Sequence, residues 1–380
     1  MVTLQTYIVY ILLFLLMYIL CKQGVSSKNR FYYFGIAIIL YSVIFGLRYG
    51  VGVDYFSYLN DYLIHQSTGK IIQGEDTEPG FLAIRTYFAI SGYHFSIYFG
   101  FIAFIQLLLI FLSVKQDKEI YPYLVLSFTL LCVWLTYANG LRQQMAFCLF
   151  ACALSLFSNK GSRFMILLLM LLSISMHKSA YLLAPLLFLL FLFRNKSFSN
   201  IKLQLIFLIC AIVIGRTSYV RSIIGVIEEY AQHLEILGYN EYFSNKNLEE
   251  LLFQTTVRNG VGYYILLIFD IVLIYFSNSV MAYSKSNFYK SMYLLYYIGA
   301  FFHYLLITSS IIQRVNYYFY GFQFIVMAYT LYYLNKKNKL FFYGLMTLLI
   351  ICFIGYMYRM YDNTAAYYFF WQKDLYQLNH

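Results

Sequence analysis

The stretch that decides the fold runs from residue 31 to residue 58 and reads FYYFGIAIILYSVIFGLRYGVGVDYFSY. Residues 31–47 are almost entirely apolar and are long enough to cross the hydrocarbon core of a membrane as one helix. At Arg48 the apolar run gives way to a block that holds an arginine, two glycines, an aspartate and several tyrosines. This change predicts a membrane helix that is followed by a polar loop at the membrane surface.

The composition extends this prediction to the rest of the chain. Of its 380 residues, 62% are hydrophobic and 11% are charged, whereas a soluble domain is usually about half apolar and a quarter charged. These proportions exclude an ordinary soluble protein. We therefore expect an all-α polytopic membrane protein that forms a single transmembrane domain over residues 1–380.

Twelve apolar segments are candidate membrane helices. The weakest are 163–177 and 179–193, which are short and joined only by His177 and Lys178. They form either two helices with a tight turn or a re-entrant hairpin. The segments span residues 4–21, 31–47, 96–114, 120–138, 141–158, 163–177, 179–193, 203–218, 261–278, 291–309, 315–334 and 340–358.

The charges of the connecting loops support twelve segments. Alternate loops hold 15 basic residues and two acidic residues, whereas the loops of the opposite side hold 12 basic and 13 acidic residues. Because basic loops stay in the cytoplasm, both termini are predicted to face outward. The net charge of +11 then follows from topology, and no nucleic-acid partner is indicated.

Three outward segments are long: the loop 48–95, the loop 219–260 and the tail 359–380. In the second loop, apolar residues recur at helical spacing between Ile223 and Leu234, which predicts an amphipathic helix. Such a helix either lies on the membrane face or caps a cavity. The tail is rich in aromatic residues, which are common at a membrane interface.

Charged and amide side chains collect at the predicted outer ends of the helices. Cations at this depth are costly unless they snorkel, pair, or line a water-filled cavity. Arginine offers a planar fork of donors that suits phosphate oxygens, and the backbone at Gly50 and Gly52 would let N–H groups approach an anion. The pattern therefore indicates a phosphate or pyrophosphate site, with snorkelling as the simpler alternative. The residues concerned are Arg48, Asp54, Arg142, Gln143, His177, Lys178, Ser179, Gln313 and Arg314.

His177 is the best acid–base candidate by residue type, because imidazole titrates near neutral pH. The alternative is a hydrogen-bonded structural histidine. Asp270 lies in the middle of an apolar segment, where a carboxylate is either paired or protonated. It is therefore a candidate functional residue. The outer loops contain no metal-binding motif.

The polar blocks can also be compared as a series in chain order. They are Leu47-Arg-Tyr-Gly-Val-Gly-Val-Asp-Tyr55 with Tyr58, Glu78-Pro-Gly-Phe81, Leu141-Arg-Gln-Gln-Met-Ala146, His177-Lys-Ser-Ala180, and Gln313-Arg314 followed by Tyr317-Tyr-Phe-Tyr320. This series resembles the EpsG family, whose members are similar to Wzy-type polysaccharide polymerases of O-antigen, capsule and exopolysaccharide synthesis.

The resemblance implies a GT-C-like membrane glycosyltransferase in the bacterial cytoplasmic membrane, with its active site facing outward. It would transfer a growing glycan from undecaprenyl pyrophosphate onto a lipid-linked repeat unit, without a metal or another cofactor. Its expected partners are that lipid-linked oligosaccharide, membrane lipid, a flippase and a chain-length regulator.

On this hypothesis each polar residue has a role in glycosyl transfer. Arg48, Arg142 and Arg314 would hold the pyrophosphate, and His177 would act as base. Asp54 is the second candidate base, or else it orients an arginine. The sugar-binding and remaining substrate-binding candidates are Tyr55, Tyr58, Glu78, Gln143, Lys178, Ser179 and Gln313.

Three rival functions use the same features. A transporter would place charges through the middle of the membrane, where only Asp270 and His303 are found in the predicted segments. A transferase that adds one sugar or acyl group from another lipid-linked donor would share the outward polar face. A non-catalytic scaffold of the export machinery is the third alternative.

Overall fold

The computed structural model describes most of the chain. Two predictions lie outside the described residues, namely the amphipathic helix of loop 219–260 and most of segment 179–193. The described residues are 4–69, 77–183, 199–217, 219, 220, 222, 260–307, 310–360 and 365–372.

Helices account for nearly all of the regular structure that is described. In chain order they are α1 (Leu4–Ser26), α2 (Arg30–Gly46), α3 (Tyr55–Thr68), α4 (Pro79–Ile90), α5 (Phe95–Ser113), α6 (Tyr121–Leu130), α7 (Val133–Asn139), α8 (Leu141–Ser158), α9 (Arg163–Met176), α10 (Ile201–Gly215), α11 (Val261–Ser284), α12 (Asn287–Leu305), α13 (Ser310–Tyr320), α14 (Gln323–Lys337) and α15 (Lys339–Met360). Two short strands, β1 (Arg48–Tyr49) and β2 (Tyr368–Phe369), pair in antiparallel register.

Within the described residues, five helices are long and apolar enough to cross a membrane: α1, α5, α8, α11 and α15. Residues Lys115–Leu130, which include α6, meet the same requirement together with α7, but the two parts are bent by 70°. Helices α2, α9 and α10 are apolar and shorter. The predicted all-α class and multi-pass membrane character are confirmed, whereas the count of twelve spans and the GT-C-like architecture stay predictions.

Two predicted spans are interrupted. Segment 120–138 breaks between α6 and α7, where Cys132 has a positive φ of 53° that ends the first helix. Segment 315–334 is divided at Gly321 and Phe322 into α13 and α14. Apolar composition predicts that a segment enters the membrane, but it does not reveal a local change of backbone direction.

The chain packs as two compact units, each of which is described by itself. Unit 1 comprises Met1–Ala180 and Asn338–His380, and unit 2 comprises Tyr181–Lys337. The chain thus leaves unit 1 after α9 and returns to it before α15. The interpretation of residues 1–380 as a single transmembrane domain stays a prediction.

Close helix contact at glycines organises the centre of unit 1. Helices α2 and α5 cross where a Cβ atom on Gly46 would lie 2.6 Å from the carbonyl oxygen of Ser96 and 3.0 Å from Cα of Gly100. Small residues let helix backbones approach closely in a membrane protein. Helix α8 packs against both α5 and α9 and is buried along most of its length.

The loop 48–95 contains two helices rather than irregular chain. Helix α3 buries Tyr55, Tyr58, Leu59, Tyr62 and His65 on one face, which packs against α4. The turn before α3 depends on Gly52, whose φ is +99° and whose missing side chain leaves room for Asn139 at the end of α7. The polar block after α2 is therefore packed against α7.

The described part of the tail, residues 365–372, returns to the polar block after α2. Strand β2 pairs with β1 so that Arg48 lies opposite Phe369 and Tyr49 opposite Tyr368. The Tyr367 hydroxyl donates to the carbonyl of Ile44 at 2.8 Å, and the Tyr10 hydroxyl donates to the carbonyl of Ala365 at 3.1 Å. The tail thereby joins α1, α2 and β1 within unit 1.

Unit 2 is built around the carboxylate of Asp270 on α11, which is fully buried. Its oxygens accept hydrogen bonds from the hydroxyls of Tyr296 at 2.6 Å, Tyr304 at 2.7 Å and Tyr320 at 2.9 Å, and from the amide of Gln323 at 2.8 Å. Since these donors belong to α12, α13 and α14, one side chain connects four helices. This intramembrane carboxylate is therefore paired with a ring of hydroxyl and amide donors.

Candidate functional site

The candidate site in unit 1 begins at Glu78, the residue before α4. Pro79 occupies the first position of the helix, where its missing N–H costs nothing, and it keeps Glu78 in an extended conformation with φ −60° and ψ 138°. The Glu78 side chain does not cap its own helix. The side chain is only 4% exposed.

The Glu78 carboxylate joins two other helices. Its Oε2 atom accepts a hydrogen bond from Nη1 of Arg142 at 2.7 Å, and its Oε1 atom lies 2.6 Å from Nδ1 of His177. The backbone N–H of Lys178 also donates to Oε1, at 3.1 Å. Three donors from the start of α8 and the end of α9 thus converge on one buried acid, and we call this group the Glu78 cluster.

His177 ends α9 in an extended conformation, with φ −158° and ψ 126°. This turn of the backbone directs the ring towards Glu78 instead of along the helix axis. Because a carboxylate only accepts, the contact with Glu78 places a proton on Nδ1 and leaves Nε2 as the nitrogen that can accept or release a proton. The side chain of His177 is 20% exposed.

Arg142 is the second residue of α8, and its side chain is 34% exposed. One guanidinium nitrogen is used by Glu78, and the hydroxyl of Tyr58 lies within hydrogen-bonding range. The free N–H groups of a helix N-terminus also favour anions. Arg142 is thus a fixed cation at an accessible position.

Electrostatics keep the Glu78 carboxylate charged. Burial by itself raises the pKa of Glu78, but the hydrogen bond from His177 and the positive charge of Arg142 outweigh burial and lower the pKa to about 2. A buried carboxylate that is ionised at neutral pH can both orient a histidine and hold an arginine in place.

Arg48 has a different environment from the one that its sequence position predicts. Its side chain is 1% exposed, and its guanidinium donates to the carbonyls of Phe45 at 2.9 Å and Ala138 at 3.0 Å. The rings of Phe45, Tyr55 and Phe99 surround it at centroid distances of 5.1–5.7 Å. Because both terminal guanidinium nitrogens donate to backbone carbonyls, Arg48 links α2 to α7, and we do not assign it to the anion site.

The other residues of the polar block divide into buried and exposed groups. Tyr55 is buried and its hydroxyl donates to the carbonyl of Arg48 at 3.0 Å, so it supports the fold. Asp54 is exposed at the start of α3, and its backbone N–H donates to the side chain of Asn139 at 2.9 Å. Asp54 as a base therefore stays a prediction. Near the Glu78 cluster, Ser179 is buried and Gln143 is partly exposed.

Gln313 and Arg314 lie on α13 in unit 2. Gln313 is joined to His303, with its Oε1 atom 2.9 Å from Nδ1 of the ring and its Nε2 atom donating to the backbone carbonyl at 2.8 Å. The Arg314 side chain is exposed. The predicted shared site of Arg314 with Arg142 and His177 stays a prediction, as does substrate binding by Gln313.

The structure assigns Glu78 a role that residue type did not indicate. The sequence predicted a sugar ligand, whereas both carboxylate oxygens are hydrogen-bonded to the protein. The sequence signal that could have been used is a glutamate before a proline, which predicts that Glu78 lies at the start of a helix. This signal does not identify the partners of the side chain. Among the described residues, no group of three His, Cys, Asp or Glu side chains is arranged to hold a metal ion.

The fold and the Glu78 cluster define a class: a multi-pass helical membrane protein with an accessible cation and a histidine held by a buried acid. Residues 31–372 match the profile of the EpsG family, and the chain belongs to this family. Membership makes it a membrane protein of polysaccharide biosynthesis and confirms the resemblance seen in the polar blocks. No curated protein and no solved structure gives a significant match.

Proposed function

We propose that this protein is a Wzy-type polysaccharide polymerase. It transfers the growing glycan from undecaprenyl pyrophosphate onto the terminal sugar of a lipid-linked repeat unit at the outer face of the cytoplasmic membrane. The observation that carries the proposal is the Glu78 cluster, which places a cation and an oriented histidine on opposite oxygens of one carboxylate.

In the proposed reaction, a hydroxyl oxygen of the acceptor sugar forms a bond to the anomeric carbon of the donor glycan. The bond between that carbon and the pyrophosphate oxygen breaks at the same centre. Nε2 of His177 accepts the hydroxyl proton, and Arg142 stabilises the charge on the departing pyrophosphate. Glu78 keeps Nδ1 of His177 protonated. It also stabilises the positive charge that forms on the ring when Nε2 accepts the proton.

Charge complementarity supports a pyrophosphate as the leaving group. Arg142 offers further N–H donors beyond the one used by Glu78, and Lys178 adds a second cation beside His177. In this proposal fixed cations supply the charge stabilisation, so we expect activity without an added metal or cofactor. A flippase that delivers the repeat unit and a chain-length regulator are the proposed partners.

The proposal is tested by replacing His177 and Arg142 in a strain that lacks this gene. His177→Ala and Arg142→Ala should each reduce polymer formation about 100-fold or more, since general-base catalysis contributes about 10²–10⁴-fold. The cells should then carry glycan of a single repeat unit. The measurement is the glycan ladder on a gel, at protein levels matched by immunoblotting.

Two variants serve as controls for these substitutions. Arg163→Ala removes an exposed arginine at the start of α9, and His94→Asn replaces a histidine that caps α5 with another capping residue. Both should make normal ladders. Long glycan in His177→Ala and Arg142→Ala cells at normal protein levels would contradict the proposal.

Purified protein and purified lipid-linked repeat unit separate the rival functions. A ladder of products supports a polymerase, whereas a single added sugar indicates a transferase of another kind. If correctly folded protein gives no product while cells still export glycan, a scaffold or transporter is favoured.

A further inference from the structure

A second ion pair lies beside the Glu78 cluster, between α3 and α4. Nη1 of Arg85 on α4 donates to Oδ2 of Asp61 on α3 at 2.8 Å. Asp61 follows Tyr58 by three residues, so both lie on the same side of α3. Because Tyr58 reaches Arg142, this pair continues the polar surface of the Glu78 cluster by one helical turn.

The two partners differ strongly in exposure. The Arg85 side chain is 1% exposed and the Asp61 side chain is 43% exposed. Arg85 uses one carboxylate oxygen, and an ionised carboxylate can accept several hydrogen bonds on its two oxygens. Asp61 can therefore accept further hydrogen bonds on its exposed side, while the buried Arg85 fixes its orientation.

The net contribution of this ion pair to stability is small compared with that of an apolar replacement. An ion pair with an exposed partner contributes only about 0–1 kcal/mol, and a buried guanidinium carries a desolvation cost. Apolar residues of similar volume at both positions would often be at least as stable. A fixed and outward-facing carboxylate can accept hydrogen bonds from the hydroxyl groups of a ligand.

The neighbouring residues hold Asp61 in place. The Tyr62 hydroxyl and the Gln66 amide both donate to the carbonyl of Tyr93, at 2.7 Å and 3.0 Å. The charges of Arg85 and Arg142 both act on Tyr98, whose buried hydroxyl has no hydrogen-bond partner in the described residues.

We propose that Asp61, held by Arg85, is a sugar-binding residue that accepts hydrogen bonds from glycan hydroxyls next to the diphosphate at Arg142. This inference rests on the proposed polymerase function and adds a site for the sugar. Asp61 binds and positions, and it takes no part in proton transfer.

The test measures steady-state kinetics of the full-length protein in nanodiscs with lipid-linked repeat unit purified from the deletion strain. Asp61→Asn should raise KM about 10- to 100-fold and change kcat little, because it removes a hydrogen bond to a charged acceptor that is present throughout the reaction. Asp61→Glu keeps the carboxylate and should restore part of the affinity. Sugar-free undecaprenyl pyrophosphate serves as a competitor, and its inhibition constant should be the same for wild type and Asp61→Asn.

The matched control is Glu119→Gln, which replaces a carboxylate beyond the opposite end of α5 and should leave KM unchanged. Unchanged KM in Asp61→Asn would overturn the inference. An equal rise in KM and in the inhibition constant would also overturn it, because the pair would then act on the lipid diphosphate or on the fold. If the wild-type protein extends no glycan, the polymerase proposal fails instead.

Discussion

At the scale of single residues, Arg48 and Arg142 show how the same side chain serves two purposes. Arg48 follows α2 and Arg142 begins α8, and both were predicted to bind phosphate. The buried guanidinium of Arg48 donates to two backbone carbonyls. The Arg142 side chain is 34% exposed, and it contacts the Glu78 carboxylate, which His177 also contacts. Exposure of the donor groups therefore decides which arginine can reach a substrate.

The titration of Glu78 gives a prediction at this scale. Its pKa of about 2 in the folded protein lies below the usual value of about 4.3 for the unfolded chain. The ionised carboxylate therefore stabilises the fold fully above about pH 5, and this contribution falls as the pH drops from about 4.5 to 2. At neutral pH it amounts to about 3 kcal/mol.

Thermal unfolding of the detergent-solubilised protein measures this contribution. The melting temperature of Glu78→Gln should lie below that of wild type at pH 7, and the difference should shrink steadily towards pH 3. In an Arg142→Ala, His177→Ala background, the same substitution should have a much smaller effect, since the partners that lower the pKa are gone. A difference independent of pH would contradict an ionised Glu78.

At the scale of helices, Asp270 shows how a polar group can organise a bundle. Four donors from three helices satisfy its oxygens, so the carboxylate is the common acceptor of α12, α13 and α14. Removal of an acceptor from buried donors costs more than the net value of the bonds, because the donors stay buried and unsatisfied.

We therefore predict a graded series of stabilities for unit 2. Asp270→Leu leaves three hydroxyls and an amide without their acceptor, and it should reduce the yield of folded protein and lower the melting temperature strongly. Tyr304→Phe removes one donor and should cost about 0.5–1.5 kcal/mol. Tyr275→Phe removes an exposed hydroxyl on α11 and is the control. Equal melting temperatures for Asp270→Leu and the control would contradict an organising role.

At the scale of the whole molecule, the path of the chain ties distant parts of unit 1 together. The chain returns to unit 1 with α15, and strand β2 then pairs with β1. The side-chain amides of Gln5 and Gln372 also exchange hydrogen bonds, at 2.7 Å and 3.0 Å. The start of α1, the polar block after α2 and the tail thus stabilise one another.

Removal of the tail tests this connection. Deleting residues 365–380 should lower the melting temperature of the solubilised protein and reduce polymer formation, because β1 and Arg48 lose the strand that packs beside them. Tyr367→Phe removes only the hydrogen bond to Ile44 and should have a smaller effect of the same sign. Tyr358→Phe, which changes an exposed tyrosine on α15, is the control, and a deletion that melts like this control would contradict the role of the tail.

The helical membrane architecture and the family could be predicted from the sequence. Apolar runs of sufficient length must form helices in lipid, because each backbone N–H and C=O group has to be satisfied within the segment. This requirement is local, so the bounds of α2, α5 and α8 follow closely from composition, whereas α1 extends five residues beyond the predicted segment. The polar blocks at the helix ends likewise identified residues of the Glu78 cluster, since their chemistry is unusual at that depth.

Only the tertiary structure decided which of these residues act together. Glu78, Arg142 and His177 are far apart in the chain, and their contacts depend on how α4, α8 and α9 pack. Packing also buried Arg48 and supplied the donors for Asp270. Hydrophobicity is a property of each segment, whereas a hydrogen-bond partner is a property of the assembled fold, and for that reason the sequence predicted the helices and the structure assigned the partners.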